Sequence, residues 1–360
     1  MKIVFRVDSS LHIGSGHLYR TLTLAKQLAA QNSEVLIYFI CRDLYGNSAF
    51  LIQQNGFPLL TIPVQEEVCS QIERVWTDEE ILYDVEQTRE LLLSIGEIDL
   101  LIIDHYGLDK RWENEMKTLS RKIMVIDDLA NREHACDILL DQNYYTDQQE
   151  RYNKLVPPTC LKMQGPAYSL LRSEFASIRR NLKKQYGTVK RMFVFFGGSD
   201  ETNETAKALH AIRLMDELNI QFDVVVGFHN PYKAEIEEMC RQLQNTRFYC
   251  QIDYIAELMA CADLGLGAGG ATTWERSALG LPSVVISTAE NQERLSIDCD
   301  ALGISKYLGR SHEVDAEQIL HTIQELINNP ERIQSMSEKG MELVDGSGTS
   351  RVVKGIFASM

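Results

Sequence analysis

Twice in this chain a short run of apolar residues leads straight into glycine and from there into a helical pattern. Lys2 to Val7 reads as a buried strand, Gly14-Ser15-Gly16 follows as a tight loop, and the segment from Leu18 to Ala30 carries the apolar spacing of a helix. In the second half Arg191 to Phe196 reads as a strand, Gly197-Gly198-Ser199-Asp200 follows, and a helix is predicted from about Thr202. Further strands are predicted at Glu34 to Ile40, Leu100 to Ile103, Lys122 to Ile126, Phe222 to Val226 and Ser283 to Ile286, with helical patterns among them. Strands alternating with helices argue for βαβ units and a parallel sheet, here laid out twice. A chain of 360 residues is also too long for one comfortable core. Twin α/β domains facing a cleft follow, with boundaries expected at 1–180 and 188–345 and a tail over 346–360. The basic and polar stretch Arg179 to Gly187 is the expected linker.

Hydrophobic residues make up 44% and charged residues 24%, close to the averages of globular proteins. The formal net charge of -15 opposes a nucleic-acid surface, which needs clustered cations. An anionic ligand must therefore be held locally by backbone amides and helix N-termini. A charge after three apolar residues at the start argues against a signal peptide, and no run approaches a membrane span. Eight cysteines (41, 69, 136, 160, 240, 250, 261 and 299) contain no Cys-x-x-Cys pair, so neither zinc nor a disulfide framework is expected. A soluble cytoplasmic protein with reduced thiols fits this composition, with no membrane insertion and no obligate protein partner.

The loop at Gly14 to Gly16 departs from the dinucleotide pattern, because Tyr19 occupies the third glycine position and His17 crowds the place of a pyrophosphate. It reads as a loop presenting an imidazole, which a helix N-terminus keeps neutral and ready to accept a proton, the alternative being an ordinary helix-capping or partly buried histidine. In the run Asp263 to Pro282, Gly269-Gly270 can form an anion-binding nest before a helix opened by Thr272 or Thr273. Glu275 on its first turn is placed to accept from the two hydroxyls of a ribose, and otherwise serves only to stabilise a helix start. Gly198 and Ser199, Asp104-His105-Tyr106 and Glu290-Asn291-Gln292 lie at strand ends, where open α/β sheets bind ligands, although tight polar connectors look the same. Asp127-Asp128 reads as a pair of loop carboxylates pointing apart rather than a metal site, and Trp274 as packing.

Taken together, Phe5-Arg6-Val7-Asp8, Ile13-Gly14-Ser15-Gly16-His17, Asp104-His105-Tyr106, Asp127-Asp128-Leu129-Ala130, Gly197-Gly198-Ser199-Asp200, Ala268 to Glu275 and Asn291-Gln292 resemble one family. It is the UDP-2,4-diacetamido-2,4,6-trideoxy-β-L-altropyranose hydrolase family of pseudaminic acid biosynthesis, to which the bacterial spore-coat polysaccharide proteins look related. The resemblance runs from Met1 to about Val352 and implies the glycosyltransferase-B fold, two Rossmann-like domains facing a cleft. It implies a UDP-sugar substrate and no cofactor or metal. His17, Tyr106 and Asn291 match positions at the reacting sugar, Ile252 the backbone that meets uracil, and Gly269-Gly270 the phosphate loop. Gly14, Gly16, Gly198, Ser199, Thr272, Glu275 and Gln292 complete the expected substrate-binding set. Ser9, Thr21 and Asp141-Gln142-Asn143 depart from residues common in the family and leave the exact sugar open.

Three rival functions share these motifs. A UDP-sugar glycosyltransferase would use the same donor site with a sugar or lipid hydroxyl in place of water, but the first half shows only the ordinary apolar stretch Ala49 to Leu60 where a basic membrane-facing patch would lie. A non-catalytic nucleotide-sugar binding subunit of a polysaccharide pathway would tolerate loss of His17. A dehydrogenase lacks its third glycine.

Overall fold

The computed structural model describes residues 1–64, 76–184, 186–215 and 219–360. Cys69, and Gln185 of the expected linker, lie outside the described residues.

The first unit comprises Met1–Asn143, Asp147–Leu170 and Ser347–Met360. Its seven strands are β1 (Lys2–Val7), β2 (Leu36–Arg42), β3 (Leu59–Ile62), β4 (Ile98–Asp104), β5 (Ser120–Ile126), β6 (Ile138–Asp141) and β7 (Leu161–Gln164). They form one parallel sheet in the order β3-β2-β1-β4-β5-β6-β7. The order reverses between β1 and β4, and at such a switch point the loops leaving the two strands diverge and open a crevice. Asp8 to Ser15 leave β1 there, and His105 and Tyr106 leave β4.

Buried strands of this kind are apolar on both faces, as in Ile3, Val4, Phe5 and Val7 of β1, which are at most 1% exposed. One face packs the helix Gly16–Gln31 through Leu18, Leu22, Ala25 and Leu28, together with Val352, Val353 and Ile356 of the helix Gly348–Ser359. The segment expected as a tail is therefore part of the first core. Beneath the switch point lies a buried ion cluster: Arg6 binds Asp8 at 2.5 and 3.0 Å and Asp84 at 2.7 Å, and Trp112 donates to Asp84 at 2.8 Å. Removing one partner of such a cluster strands the other charge, a cost of about 3–5 kcal/mol, so Arg6 and Asp8 hold the end of β1 in place.

The second unit comprises Tyr144–Thr146 and Leu171–Gly346. Its strands β8 (Arg191–Phe195), β9 (Gln221–Val226), β10 (Thr246–Cys250), β11 (Leu264–Ala268), β12 (Ser283–Ser287) and β13 (Ser305–Arg310) form a parallel sheet in the order β10-β9-β8-β11-β12-β13. Its switch point lies between β8 and β11, where Gly197-Gly198 and Gly269-Gly270 emerge. The glycine of Leu264–Ala268 at position 267 has a steric reason: a Cβ there would stand 2.4 Å from the Phe195 carbonyl oxygen. Trp274 is 0% exposed and packs in the core with Phe175, Phe193 and Leu295. The chain passes between units at Asn143 and Tyr144, at Thr146 and Asp147, at Leu170 and Leu171, and at Gly346 and Ser347, where the sequence placed the linker at 179–187 and a tail at 346–360. The basic stretch misled because Arg179 caps carbonyls of Ala278 and Met341 within the second unit.

Candidate active site

In the first unit the helix Gly16–Gln31 begins two residues earlier than its apolar pattern, so His17 sits on its first turn and not in the loop. Gly14, at φ 72°, takes the left-handed turn that delivers the chain to that helix. The His17 ring is thereby held by regular structure. Its Nδ1 lies 2.6 Å from Asp104 Oδ1 at the end of β4. Arg20, one turn along the same helix, donates to both oxygens of Asp104 at 2.7 and 2.6 Å and to Asp128 at 3.0 Å. Arg20 Nη2 also comes within 3.0 Å of His17 Nδ1. Both groups are drawn to the same carboxylate oxygen, and since an ionised carboxylate only accepts, the 2.6 Å contact requires the proton on Nδ1, donated to Asp104. That tautomer leaves Nε2 with its lone pair free to accept a proton.

Burial alone would raise the Asp104 carboxyl, but the charges of Arg20 and His17 and the hydrogen bonds from both outweigh it and hold the group down at about 2. Asp104 is therefore ionised throughout the useful pH range. The ring of Tyr106 stands edge-on to His17 with centroids 4.6 Å apart, and its hydroxyl donates to Asp128 at 2.6 Å. Asp104 and Tyr106, two residues apart at the end of a strand, face the histidine, while His105 between them faces the other way and meets Asp8 at 3.1 Å. Asp127 and Asp128 also diverge. Asp127 is buried against Arg132 and Tyr152 at 2.7 and 2.9 Å, whereas Asp128 joins the Arg20 and Tyr106 side.

In the second unit the named residues collect at the carboxyl ends of strands of one sheet. Gly198 and Ser199 follow β8, Ile252 follows β10, and Gly269, Gly270, Thr272 and Glu275 follow β11. Asn291 and Gln292 open the helix Asn291–Leu302 after β12. Two of these loops are closely packed against their neighbours. A Cβ on Gly227, after β9, would stand 2.2 Å from the Gly198 carbonyl oxygen, and a Cβ on Gly269 would stand 2.1 Å from Ser296 Oγ. Gln292 Oε1 accepts from the Thr288 amide at 3.0 Å.

Asp200 uses its carboxylate inside the protein. It accepts from the amides of Glu204 and Thr205 at 2.9 Å each, and so occupies the start of the helix Glu204–Arg213 with an internal anion. Burial pushes its carboxyl up to about 6. Glu275 lies 3.4 Å from Arg172, and burial raises its carboxyl despite that partner.

The glycosyltransferase family 28 C-terminal domain matches residues 192–349. The chain is 27% identical over 299 residues to an uncharacterized protein of Methanocaldococcus jannaschii, covering 81% of this chain and only 57% of that protein. It is 30% identical over 264 residues to the UDP-2,4-diacetamido-2,4,6-trideoxy-β-L-altropyranose hydrolase of Campylobacter jejuni, covering 72% of this chain and 81% of that enzyme. The chain belongs to this hydrolase family. The spore coat polysaccharide biosynthesis protein SpsG of Bacillus subtilis is 24% identical over 358 residues, covering 98% of this chain and 96% of that protein. The crystal structure of MurG from Acinetobacter baumannii superimposes with a TM-score of 0.67 at 13% identity, over 99% of this chain and 100% of that one. The fold is accordingly glycosyltransferase-B.

For this member of the hydrolase family, sequence reasoning named His17 and Tyr106 but assigned nothing to Arg20, and gave Asp104 no more than a strand-end position. The available signal was helical spacing: Arg20 follows His17 by three residues and so shares its face. Among the described residues, no helix is long and apolar enough to cross a membrane, and no group of three or more His, Cys, Asp or Glu is arranged to hold a metal ion.

Proposed function

We propose that the protein hydrolyses a UDP-linked 2,4-diacetamido-2,4,6-trideoxy sugar at its anomeric carbon, releasing UDP and the free sugar for biosynthesis of a pseudaminic-type nonulosonic acid. The observation that carries this reading is the His17 and Asp104 pair at 2.6 Å, which turns the unprotonated Nε2 into a positioned base at the first switch point. Water gives its proton to Nε2 as its oxygen attacks the anomeric carbon, and the bond from that carbon to the UDP oxygen breaks through an oxocarbenium-like transition state. UDP is a good leaving group, so the second unit's part is to stabilise the charge growing on it. The amides around Gly269-Gly270, with Gly198, Ser199 and Thr272, are assigned that part.

Ile252 is assigned to the uracil through its backbone, and Glu275 to the ribose. Tyr106 holds the imidazole by its ring edge, and Asn291 and Gln292 meet the sugar side, with Gly14 and Gly16 leaving the approach to His17 open. A Cβ on Gly14 or Gly16 would find no atom within 4 Å, consistent with open space on that loop. No step calls for a metal or cofactor.

Glu275→Gln is expected to raise KM several-fold with little change in kcat, because a ribose contact exists in ground and transition states alike. Steady-state kinetics on the UDP-sugar checks this, and a large loss of kcat at unchanged KM would remove the ribose role.

A glycosyltransferase reading has one specific support, the family 28 domain over residues 192–349. Incubation with the UDP-sugar in oxygen-18 water without any acceptor separates the two. Hydrolysis at carbon puts the label in the sugar and leaves UDP unlabelled, as seen by mass spectrometry at early times. Turnover only on addition of an acceptor establishes the transferase, and label in phosphate, or UMP as product, excludes attack at carbon.

A further inference from the structure

Arg276 lies on the helix Thr272–Ala278 but points back under the glycine loop, and it is 2% exposed. Its Nη2 donates to the Ala268 carbonyl at 3.0 Å and to Thr273 Oγ1 at 3.1 Å, and its Nη1 donates to Thr272 Oγ1 at 3.0 Å. These acceptors flank Gly269 and Gly270 on both sides, so one guanidinium ties the two ends of the loop together. Gly267 leaves it room, since a Cβ there would approach Nη1 to 3.1 Å and the Phe195 carbonyl at the end of β8 to 2.4 Å. The cation therefore sits against the carboxyl end of β11, whose neighbour in the sheet is β8, at the switch point of the second sheet.

Every one of those acceptors is neutral. The adjacent Glu275 is engaged with Arg172, and no carboxylate lies within 4 Å of Arg276 among the described residues. Buried charges are ordinarily paired, because an unpaired one loses its hydration without return. Burial accordingly pushes the Arg276 group down to about 10, still fully protonated near neutral pH. The charge of the neighbouring Glu275 offsets only part of this burial, and that carboxylate makes no ion pair with Arg276 but one with Arg172.

We infer that Arg276 is a positioning residue of the nucleotide site, clamping the Gly269-Gly270 loop and supplying the positive charge whose counter-ion is the diphosphate of the ligand. It acts through the loop and its field, without touching the ligand. The inference rests on the assignment of the second unit to UDP, and it explains how a strongly acidic protein favours an anion at this loop without an exposed cationic patch.

The test compares binding of UDP with binding of uridine to the wild-type protein, Arg276→Gln and Arg276→Lys, by titration calorimetry at low and high salt. A purely structural arginine would affect both ligands alike. With Arg276→Gln, UDP affinity falls about tenfold or more while uridine affinity stays within about twofold, the order expected for removing one charge near a polyanion in a protein interior. Added salt weakens UDP binding more in the wild type than in this variant. Arg276→Lys keeps the charge and restores most of the preference for UDP, and it decides the matter alone if Arg276→Gln does not fold. Equal losses for UDP and uridine, or an unchanged preference in Arg276→Gln, overturn the inference while leaving the nucleotide site standing. A wild-type protein with no preference for UDP over uridine overturns both, and that failure is visible before any variant is made.

Discussion

His17→Asn lowers turnover by about two orders of magnitude or more, the usual scale for losing a positioned acid-base group, and leaves UDP affinity within about twofold. Asparagine can still donate to Asp104 but has no nitrogen lone pair to receive the water proton. The wild-type rate should fall on acidification, because a general base must be unprotonated to receive the proton of water. Asp104 does not contribute to that fall. Its carboxyl is depressed from the ordinary 3.8 to about 2, so the stability it confers is complete above 3.8 and is lost only as the pH drops through about 2. Retained turnover in His17→Asn, or a rate that rises towards low pH, would take His17 out of the role of base.

Asp104→Asn should lose turnover by roughly two to four orders of magnitude, since an amide that donates to Nδ1 forces the imidazole proton onto Nε2, where the base must be free. The same change removes the bidentate partner of Arg20, which is left with Asp128 at 3.0 Å. Losing one partner of a buried pair costs about 3–5 kcal/mol, so thermal unfolding has to be measured beside kinetics and rates referred to folded protein. Asp104→Glu keeps the charge and serves as the milder comparison. A folded Asp104→Asn protein turning over within about twofold of wild type would show that the tautomer is irrelevant and the pair merely structural.

The strands and their parallel arrangement were legible because buried β-strands in this architecture are apolar on both faces, as Ile3 to Phe5 and Val284 to Ile286 are. The histidine was legible from glycine beside it. The network around it was not, because Asp104, Arg20 and Asp128 come from β4, from the first helix and from the loop after β5, and only the sheet order makes them neighbours. Arg276 was passed over for a related reason. In a sequence it reads as one more helix-surface cation, and its burial depends on Gly267 and on how closely β8 and β11 approach. The position of the C-terminal helix was also hidden, since an amphipathic helix announces that it will pack but not against which sheet.

That helix has a consequence for how the molecule is made. Residues 347–360 belong to the first unit, and Val352, Val353 and Ile356 cover the helix that carries His17. A ribosome delivers the chain in order, so nearly all of the second unit, Leu171–Gly346, leaves the exit tunnel while the first unit still lacks its last wall. The half translated first is the half completed last. The residues that position the base thus gain their final packing only after the second unit has been synthesised, and a nascent chain cut short before Val352 would carry every proposed site residue on an unfinished scaffold.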